Sequence, residues 1–530
     1  MKMAHSMQGI YAPLPQSISD SDSEKEISME PLCTSYEPKN KFENIYRQNG
    51  HGMHLEDDIV KIKRGASKMS AARKVAFGCS IILCFLPIII FLWVLPCTEL
   101  HTCPVKISNW EYQQEEIELK GPIMLVGGLY KSNYNLAIMY KGSFNSPKSL
   151  KHGVISFMGL TGSVAWDLQQ VVEPYKINCQ IIDSNMDGTL DCLIIDKTGL
   201  KVIETIAGQA LWHAHSSEEK TLVRNLDMPI PLPDLNNDGV IELLSIYEKT
   251  SFLVISGNTG RALAKIQVPS CGHIKEIHFS AEDNQICVYH CMNTSIETYQ
   301  VSLSEIEKSF SNPQYIINVT PLTEEITEHD YVAGNRRLRV NNGPDCPKCH
   351  CVMTLYDDKN QVLKTWPFNN AFIMKPKPFS FKPSQAKKLQ LKGHLSGFIV
   401  KIWEWSEHYR KLRPLQRVNK RSVQYHNETF FSTEVSERVI LITSNETDVQ
   451  VINASFTEIN QICRTDETNC QPDVNNQVDS LLIADVEHDS STELVNFYSS
   501  YVRRDEDWHL VSFVKVLRLE EELPKLYSAK

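Results

Sequence analysis

Three stretches decide the fold: Val154-Ile-Ser-Phe-Met-Gly-Leu-Thr-Gly162-Ser-Val-Ala-Trp166, Val202-Ile-Glu-Thr-Ile-Ala-Gly208-Gln-Ala-Leu-Trp212 and Val254-Ile-Ser-Gly-Asn-Thr-Gly260-Arg-Ala-Leu-Ala264. Each reads as a strand, a tight turn and a second strand. The turn glycines recur after 46 and 52 residues, and Gly there supplies the positive φ that a hairpin turn needs. A looser fourth copy runs from Met353 to Trp366, with Asn360 in place of the glycine. A period near fifty residues with about four strands per unit is the mark of propeller blades.

The surrounding sequence agrees. Short apolar runs recur between Gly, Asn, Asp and Pro, among them Ile123–Val126, Leu136–Tyr140, Val154–Phe157, Leu193–Ile195, Leu253–Ile255, Phe398–Trp403, Val439–Thr443 and Leu510–Val516. Such spacing predicts many short antiparallel strands. Helical periods are confined to Leu303–Phe310 and Arg518–Tyr527. The expected fold beyond residue 97 is all-β.

Between the repeats lie two acidic stretches of one form. They are Asp183-Ser-Asn185-Met-Asp187-Gly188-Thr189-Leu-Asp191 and Asp234-Leu-Asn236-Asn-Asp238-Gly239-Val240-Ile-Glu242, and they start 51 residues apart. Oxygen-bearing side chains fall at positions 1, 3, 5 and 9, with Gly at 6 for the sharp turn, and Thr189 and Val240 at 7 would offer backbone carbonyls. A hard cation such as Ca²⁺ takes six to eight oxygens, and this spacing wraps a short loop around one. An EF-hand is excluded, because it needs a bidentate Glu at position 12 and flanking helices. Position 12 is Ile194 in one loop and Ser245 in the other. A third stretch, Asp485-Val-Glu487-His-Asp489-Ser-Ser-Thr-Glu493, keeps the spacing but lacks the Gly. It is expected at the same place in a later blade, with metal binding left open.

At these loops the sequence resembles the FG-GAP repeats of integrin α-subunit propellers. In layout it is similar to a family of type II membrane proteins described as integrin-α FG-GAP repeat-containing. The motifs that carry the resemblance cover about residues 150–270 and 479–500. It implies a seven-bladed propeller. The integrin Phe-Gly and Gly-Ala-Pro signatures are absent or blurred, and integrin ligand-binding residues have no counterpart here, so those functions do not carry over.

The N-terminal part predicts a membrane anchor. From Val75 to Pro96 no residue is charged, and roughly 20 such residues span a bilayer core of about 30 Å as a helix. Lys61, Lys63, Arg64, Lys68, Arg73 and Lys74 precede the span, while Lys106 is the one base in the twenty residues after it. Basic residues stay on the cytoplasmic side. The expected order is therefore a disordered cytoplasmic tail (1–60), a basic juxtamembrane segment (61–74), a signal-anchor helix (75–96) and an extracellular or lumenal region (97–530). In the tail Ser17, Ser19, Ser21 and Ser23 alternate with acidic residues, a pattern suited to phosphorylation.

Eleven of the fifteen cysteines lie at or beyond Cys103, and in an oxidising compartment most should pair. Cys346-x-x-Cys349-x-Cys351 with His350 has no second Cys/His pair at zinc-finger spacing, so disulfides are expected there. Cys463 and Cys470 are spaced to close a short loop. Sequons stand at Asn293, Asn318, Asn427, Asn445 and Asn453, all beyond the span. They are expected to carry glycan. Lys420–Arg421 has Val418, not a base, at the fourth position before a cut after Arg421, and reads as a solvated loop.

A net charge of −10 with no basic stripe argues against nucleic-acid binding. No Gly-x-Ser-x-Gly elbow, His-Glu-x-x-His or phosphate-cradling Gly-rich loop occurs, and no catalytic residue is assigned. The expected function is a membrane-anchored, calcium-stabilised propeller that binds a protein or glycan partner. Two other functions fit the chain, an accessory or scaffolding subunit for another membrane protein and a propeller glycan hydrolase.

Overall fold

A computed structural model gives the fold. It describes residues 109–519 apart from 130–132, 145–150, 219, 270, 281–282, 294, 323–329, 345–348, 382–394, 412–429, 445–448, 465–468, 490 and 505–506. The chain divides into two units, Met1–Leu100 and His101–Lys530. In the first unit only Ala71, Ala72 and Val75 are described. The tail and all of the expected span beyond Val75 lie outside the described residues. Among the described residues no helix is long and apolar enough to cross a membrane.

The second unit is built almost wholly of antiparallel strands. β1 (Trp110–Glu115) comes first in the chain, and β2 (Ile117–Gly127), β3 (Tyr134–Gly142), β4 (His152–Met158) and β5 (Val164–Gln170) then form one four-stranded sheet in chain order. β6 (Pro174–Ile182), β7 (Asp191–Asp196), β8 (Gly199–Ile203) and β9 (Ala210–His213) form a second. A third holds β10 (Ile230–Leu232), β11 (Glu242–Tyr247), β12 (Ser251–Ile255) and β13 (Ala262–Gln267). A fourth holds β14 (Ile274–Phe279), β15 (Ile286–Met292), β16 (Ile296–Ser302) and β17 (Thr320–Leu322). The expected helix appears here, over Leu303–Ser311.

A nine-stranded sheet follows. It begins with β18 (Asp330–Ala333), β19 (Arg336–Asn342), β20 (Cys349–Tyr356) and β21 (Val362–Ile373), and continues with β22 (Lys377–Phe381), β23 (Leu395–Lys411), β24 (Phe431–Ser444), β25 (Val449–Cys463) and β26 (Cys470–Gln471). The last sheet contains β27 (Leu481–Ala484), β28 (Glu493–Arg504) and β29 (Asp507–Arg518). Its fourth strand is β1, paired to β29 with Trp110 opposite Val516 and Glu115 opposite Val511. Strands from opposite ends of the unit thus complete one sheet, and ring closure of this kind removes exposed edges. Arg518, expected to open a helix, instead ends β29; residues 520–527 lie outside the described ones.

The core lies between sheets. Leu136, Ile138 and Tyr140 on one face of β3 pack toward the closing sheet, against Val495, Phe497 and Val514. Ala137 and Met139 on the other face pack toward the next sheet, against Cys192 and Ile194. The same alternation recurs in β7, where Leu193 and Ile195 join the cluster shared with the third sheet. Successive side chains on a strand point to opposite faces, so a strand with a neighbour on each side is buried at every position and mostly apolar. The inner strands β7, β8 and β12 are accordingly buried throughout. The outermost strands β5 and β9 keep solvent-facing positions.

The repeated Trp and Gly are one device. Trp166 on β5 donates its indole N–H to the Thr205 carbonyl of the next sheet at 2.7 Å. Its ring lies under Gly208 (φ +69°), where an added Cβ would fall 2.7 Å away. Trp212 does the same beneath Gly260, 2.3 Å from its Cβ position, and Trp110 of the closing sheet beneath Gly162 at 2.4 Å. Each indole N–H also finds a backbone carbonyl, Trp212 that of Gly257 and Trp110 that of Gly159. The fourth copy has its Asn360 at φ +61° in the β20–β21 turn, as expected for a residue standing in for Gly.

Three disulfides join described residues: Cys179–Cys192, Cys271–Cys291 and Cys463–Cys470. Cys349 is also disulfide-bonded, with its other half outside the described residues, while Cys351 is a free buried thiol. The Cys346–Cys351 stretch therefore holds a disulfide, as its spacing suggested.

Candidate metal centres in the acidic loops

All three acidic stretches occupy one place in their sheets, the connection from first to second strand: β6 to β7, β10 to β11 and β27 to β28. Position 9 opens the second strand in each case, as Asp191, Glu242 and Glu493. The Cys179–Cys192 disulfide ties the two strands that flank the first loop.

The backbone is folded the same way each time. Position 1 accepts from the N–H of position 5: Asp187 to Asp183 at 3.2 Å, Asp238 to Asp234 at 3.2 Å and Asp489 to Asp485 at 3.1 Å. Position 5 accepts from the N–H of position 7, from Thr189 at 2.7 Å, Val240 at 3.0 Å and Ser491 at 2.8 Å. Position 9 accepts from the N–H of position 2: Asp191 from Ser184, Glu242 from Leu235 and Glu493 from Val486. The glycine N–H donates to position 1, Gly188 to Asp183 at 2.8 Å and Gly239 to Asp234 at 2.9 Å. Both glycines need positive φ, at +86° and +89°. Asn185 and Asn236 accept from the N–H of position 5 and donate an amide N–H to its carboxylate.

In the second loop, atoms of Asp234, Asp238 and Glu242 lie within 4.8 Å of one another. Asp191 and Glu242 are fully buried, and one oxygen of each, Asp191 Oδ1 and Glu242 Oε1, has no hydrogen-bond partner in the protein. Leaving a buried acceptor unmade costs about 1–3 kcal/mol, more if charged. Burial first, then the charges of Asp187 and Asp183, push the Asp191 carboxyl up to about 7. Burial, with Asp234 and Asp238 beside it, raises Glu242 as well. An oxygen-rich, self-repelling cluster with an orphaned buried oxygen fits a hard divalent cation. The donor set is therefore suited to Ca²⁺, with Asp183, Asn185, Asp187 and Asp191, or Asp234, Asn236, Asp238 and Glu242, as the side-chain ligands.

Besides lacking the glycine, the third loop differs in what meets its carboxylates. The guanidinium of Arg518 donates to Glu493 Oε1 at 3.3 Å, to Glu487 at 3.5 Å and to Asp489. Arg518 lies directly opposite Glu493 on the neighbouring strand. Sequence spacing along one loop could not reveal it, since it comes from a strand 25 residues downstream. Ser184 is a second residue that the spacing missed. Its hydroxyl bonds Gly257 O at 2.7 Å and accepts from Trp212, tying the first loop to the next sheet.

Of the sequon asparagines, Asn293, Asn318 and Asn453 are exposed, and Asn427 and Asn445 lie outside the described residues.

The raised carboxyls give a pH test. A carboxyl whose pKa rises on folding favours the fold at low pH, and that contribution is lost as pH climbs through the folded value. For Asp191 the window runs from its ordinary value near 3.8 up to about 7. In chelator, the full-length protein in detergent should melt at lower temperature at pH 8 than at pH 5. Calcium should remove most of that slope, and Asp191→Asn part of it. A chelated protein with a flat profile would contradict the assignment of Asp191 as a buried titrating group.

Comparison with known proteins agrees with this architecture. The chain is similar to the FAM234A/B beta-propeller family over residues 133–331. That stretch includes the first two acidic loops and two of the three Trp–Gly pairs, Trp166 with Gly208 and Trp212 with Gly260. Protein FAM234A of Mus musculus is 22% identical over 236 residues, which are 40% of this chain and 41% of that protein. The Rattus norvegicus protein is 24% identical over 260 residues, 45% of this chain and 44% of its own. The Homo sapiens protein is 24% identical over 227 residues, 39% and 40% respectively. The chain thus spans about two fifths of the length of these relatives. Among solved structures, BBS1N in complex with ARL6DN, soaked with mercury, aligns over 77% of this chain and 96% of its own at 10% identity; its TM-score of 0.34 carries no argument.

Proposed function

We propose that the protein is a single-pass type II membrane glycoprotein whose seven-bladed, FG-GAP-like propeller binds an extracellular or lumenal protein or glycan, with structural calcium in two blades. The observation that carries the calcium reading is the orphaned buried carboxylate oxygen, repeated in the same place in two loops of identical hydrogen-bond pattern. The blade count follows from splitting the nine-stranded sheet. β18–β21 and β22–β25 each make four strands, and β21 meets β23 through only three residue pairs. Together with the five four-stranded sheets this gives seven.

The recognition surface we assign lies at the sheet ends that carry the acidic loops. Met186 and Leu190, at 58% and 45% exposure, stand within the first loop, and Leu129 is 75% exposed in the corresponding turn of the preceding sheet. Apolar side chains left in water among ordered loops mark contact surfaces. Calcium would hold this surface in one shape by neutralising the carboxylates around it.

The test uses the full-length protein in detergent. A ligand that binds only the folded state stabilises it by about 2.7 kcal/mol per site at a hundredfold excess over Kd. Chelation should therefore lower the melting temperature. Asp187→Ala and Asp238→Ala should each abolish part of the response, and together nearly all of it. Partners recovered with tagged wild type and lost both on chelation and in the double variant would place recognition on the loop face. A melting temperature indifferent to chelation would sink the calcium reading.

A further inference from the structure

The first and second loops leave a buried oxygen of position 9 without a partner, whereas in the third loop the equivalent oxygen, Glu493 Oε1, accepts from Arg518 Nε. The rest of that guanidinium reaches position 3, Glu487, and position 5, Asp489. Their counterparts in the other two loops, Asn185 and Asp187 or Asn236 and Asp238, are hydrogen-bonded to each other, with no cationic side chain among the described residues between them and position 9. Arg518 is 8% exposed. We propose that the third loop carries its own cation: the Arg518 guanidinium fills the position a metal takes in the first two, so the acidic loops hold two calcium ions and the closing sheet is independent of calcium.

The chemistry supports the substitution. A guanidinium is always charged and presents its N–H donors in a fixed fork that suits several carboxylates at once. Its donors satisfy the same oxygens whose mutual repulsion calcium would otherwise relieve. Register explains why the other loops lack it. Glu493 pairs with Arg518, while one step beyond the last paired residues, Cys192 with Ile203 and Leu243 with Ile255, the chain offers Glu204 and Ser256. Neither supplies a positive charge. The location also matters. The sheet that Arg518 stabilises is the one in which β1 meets β29. A ring whose closure needed calcium would open at the seam whenever calcium fell, whereas this closure stays locked and a fall in calcium is felt only in the sheets of the first two loops.

This inference rests on the calcium reading of the first two loops, and the test separates the two. Calcium stoichiometry is measured by equilibrium dialysis on the full-length protein in detergent. Wild type should bind two ions in these loops, and a variant combining Asp187→Asn and Asp238→Asn should bind none. Adding Arg518→Ser to that variant should restore one. Three ions in wild type, or one kept by the doubly disabled variant, would overturn the role of Arg518 without touching the first two sites. No calcium in wild type would remove the premise and the inference with it. Should Arg518→Ser fail to fold, the doubly disabled variant still decides, because residue 518 is intact in it. Amide hydrogen exchange gives an independent readout. Chelation should speed exchange in β7 and β11 at least tenfold and leave β28 and β29 unchanged; equal acceleration in all four would contradict the proposal.

Discussion

Replacing Trp166 by alanine should destabilise the propeller unit by about 3–5 kcal/mol, the range for truncating a buried aromatic side chain. The ring joins the core cluster between the first and second four-stranded sheets, so the loss falls on a seam rather than within one blade. Gly208→Ala should also destabilise, for two reasons. The new Cβ would stand 2.7 Å from the indole, and the backbone there has φ of +69°. The two causes can be separated. In the Trp166→Ala background the overlap disappears and only the left-handed backbone remains, worth about 1–2 kcal/mol. Urea unfolding of wild type, both single variants and the double variant measures the difference as a coupling energy. Strictly additive effects would show that Gly208 does not answer to Trp166. The same cycle at Trp212 and Gly260 should repeat the result, with a further loss from the Ser184 bond that ties Trp212 to the first acidic loop.

That coupling marks the boundary of what could be read from residues alone. The turn glycines and the tryptophans were both visible as a repeat, and positive φ at Gly162, Gly208 and Gly260 was the expected reason for the glycines. The sequence could not show that each tryptophan serves the glycine of the following blade. Strand positions were legible for a related reason. A strand covered on both faces is apolar at nearly every position, so runs such as Leu193–Ile195 and Leu253–Ile255 stand out without any alternation. Ring closure was not legible. β1 is a short polar strand whose partner lies some four hundred residues away, and Trp110 is its one fully buried residue.

The acidic loops divide in the same way. Local spacing predicted the turn, the role of Gly188 and Gly239, and the approach of Asp234, Asp238 and Glu242 in the second loop, because each of those depends on nearby backbone groups. It could not distinguish the third loop, since the deciding side chain, Arg518, arrives by strand register.

Glu437→Ala should be the most damaging single change away from the tryptophan seams. Lys401 on β23 and Glu437 on β24 form an ion pair at 3.3 Å, with their side chains 0% and 1% exposed. Lys401 also donates to the Phe497 carbonyl of β28 at 2.7 Å, so the pair bridges the nine-stranded sheet and the closing sheet. Trp403 donates its indole N–H to the same Glu437 oxygen at 2.8 Å. Burial lowers the Lys401 pKa, and the Glu437 charge opposes that shift. Removing the carboxylate leaves a buried ammonium without its counter-ion, which typically costs 3–5 kcal/mol. Glu437→Gln keeps an acceptor for Trp403 but not the charge. A lysine whose pKa falls on folding favours the fold above its unfolded value, and that contribution is lost as pH drops through the folded value. The Gln variant should therefore lose stability relative to wild type as pH falls below the ordinary lysine value of 10.5. Lys401→Met together with Glu437→Gln should recover most of the loss, because a fully neutral seam has no charge to desolvate and replacing a buried pair by apolar groups is often neutral. Recovery would assign the pair to the exclusion of other arrangements at this seam rather than to net stability. Failure of the double variant to recover would mean that the Lys401–Phe497 bond between the sheets, which methionine cannot make, contributes more than the ion pair within the nine-stranded sheet.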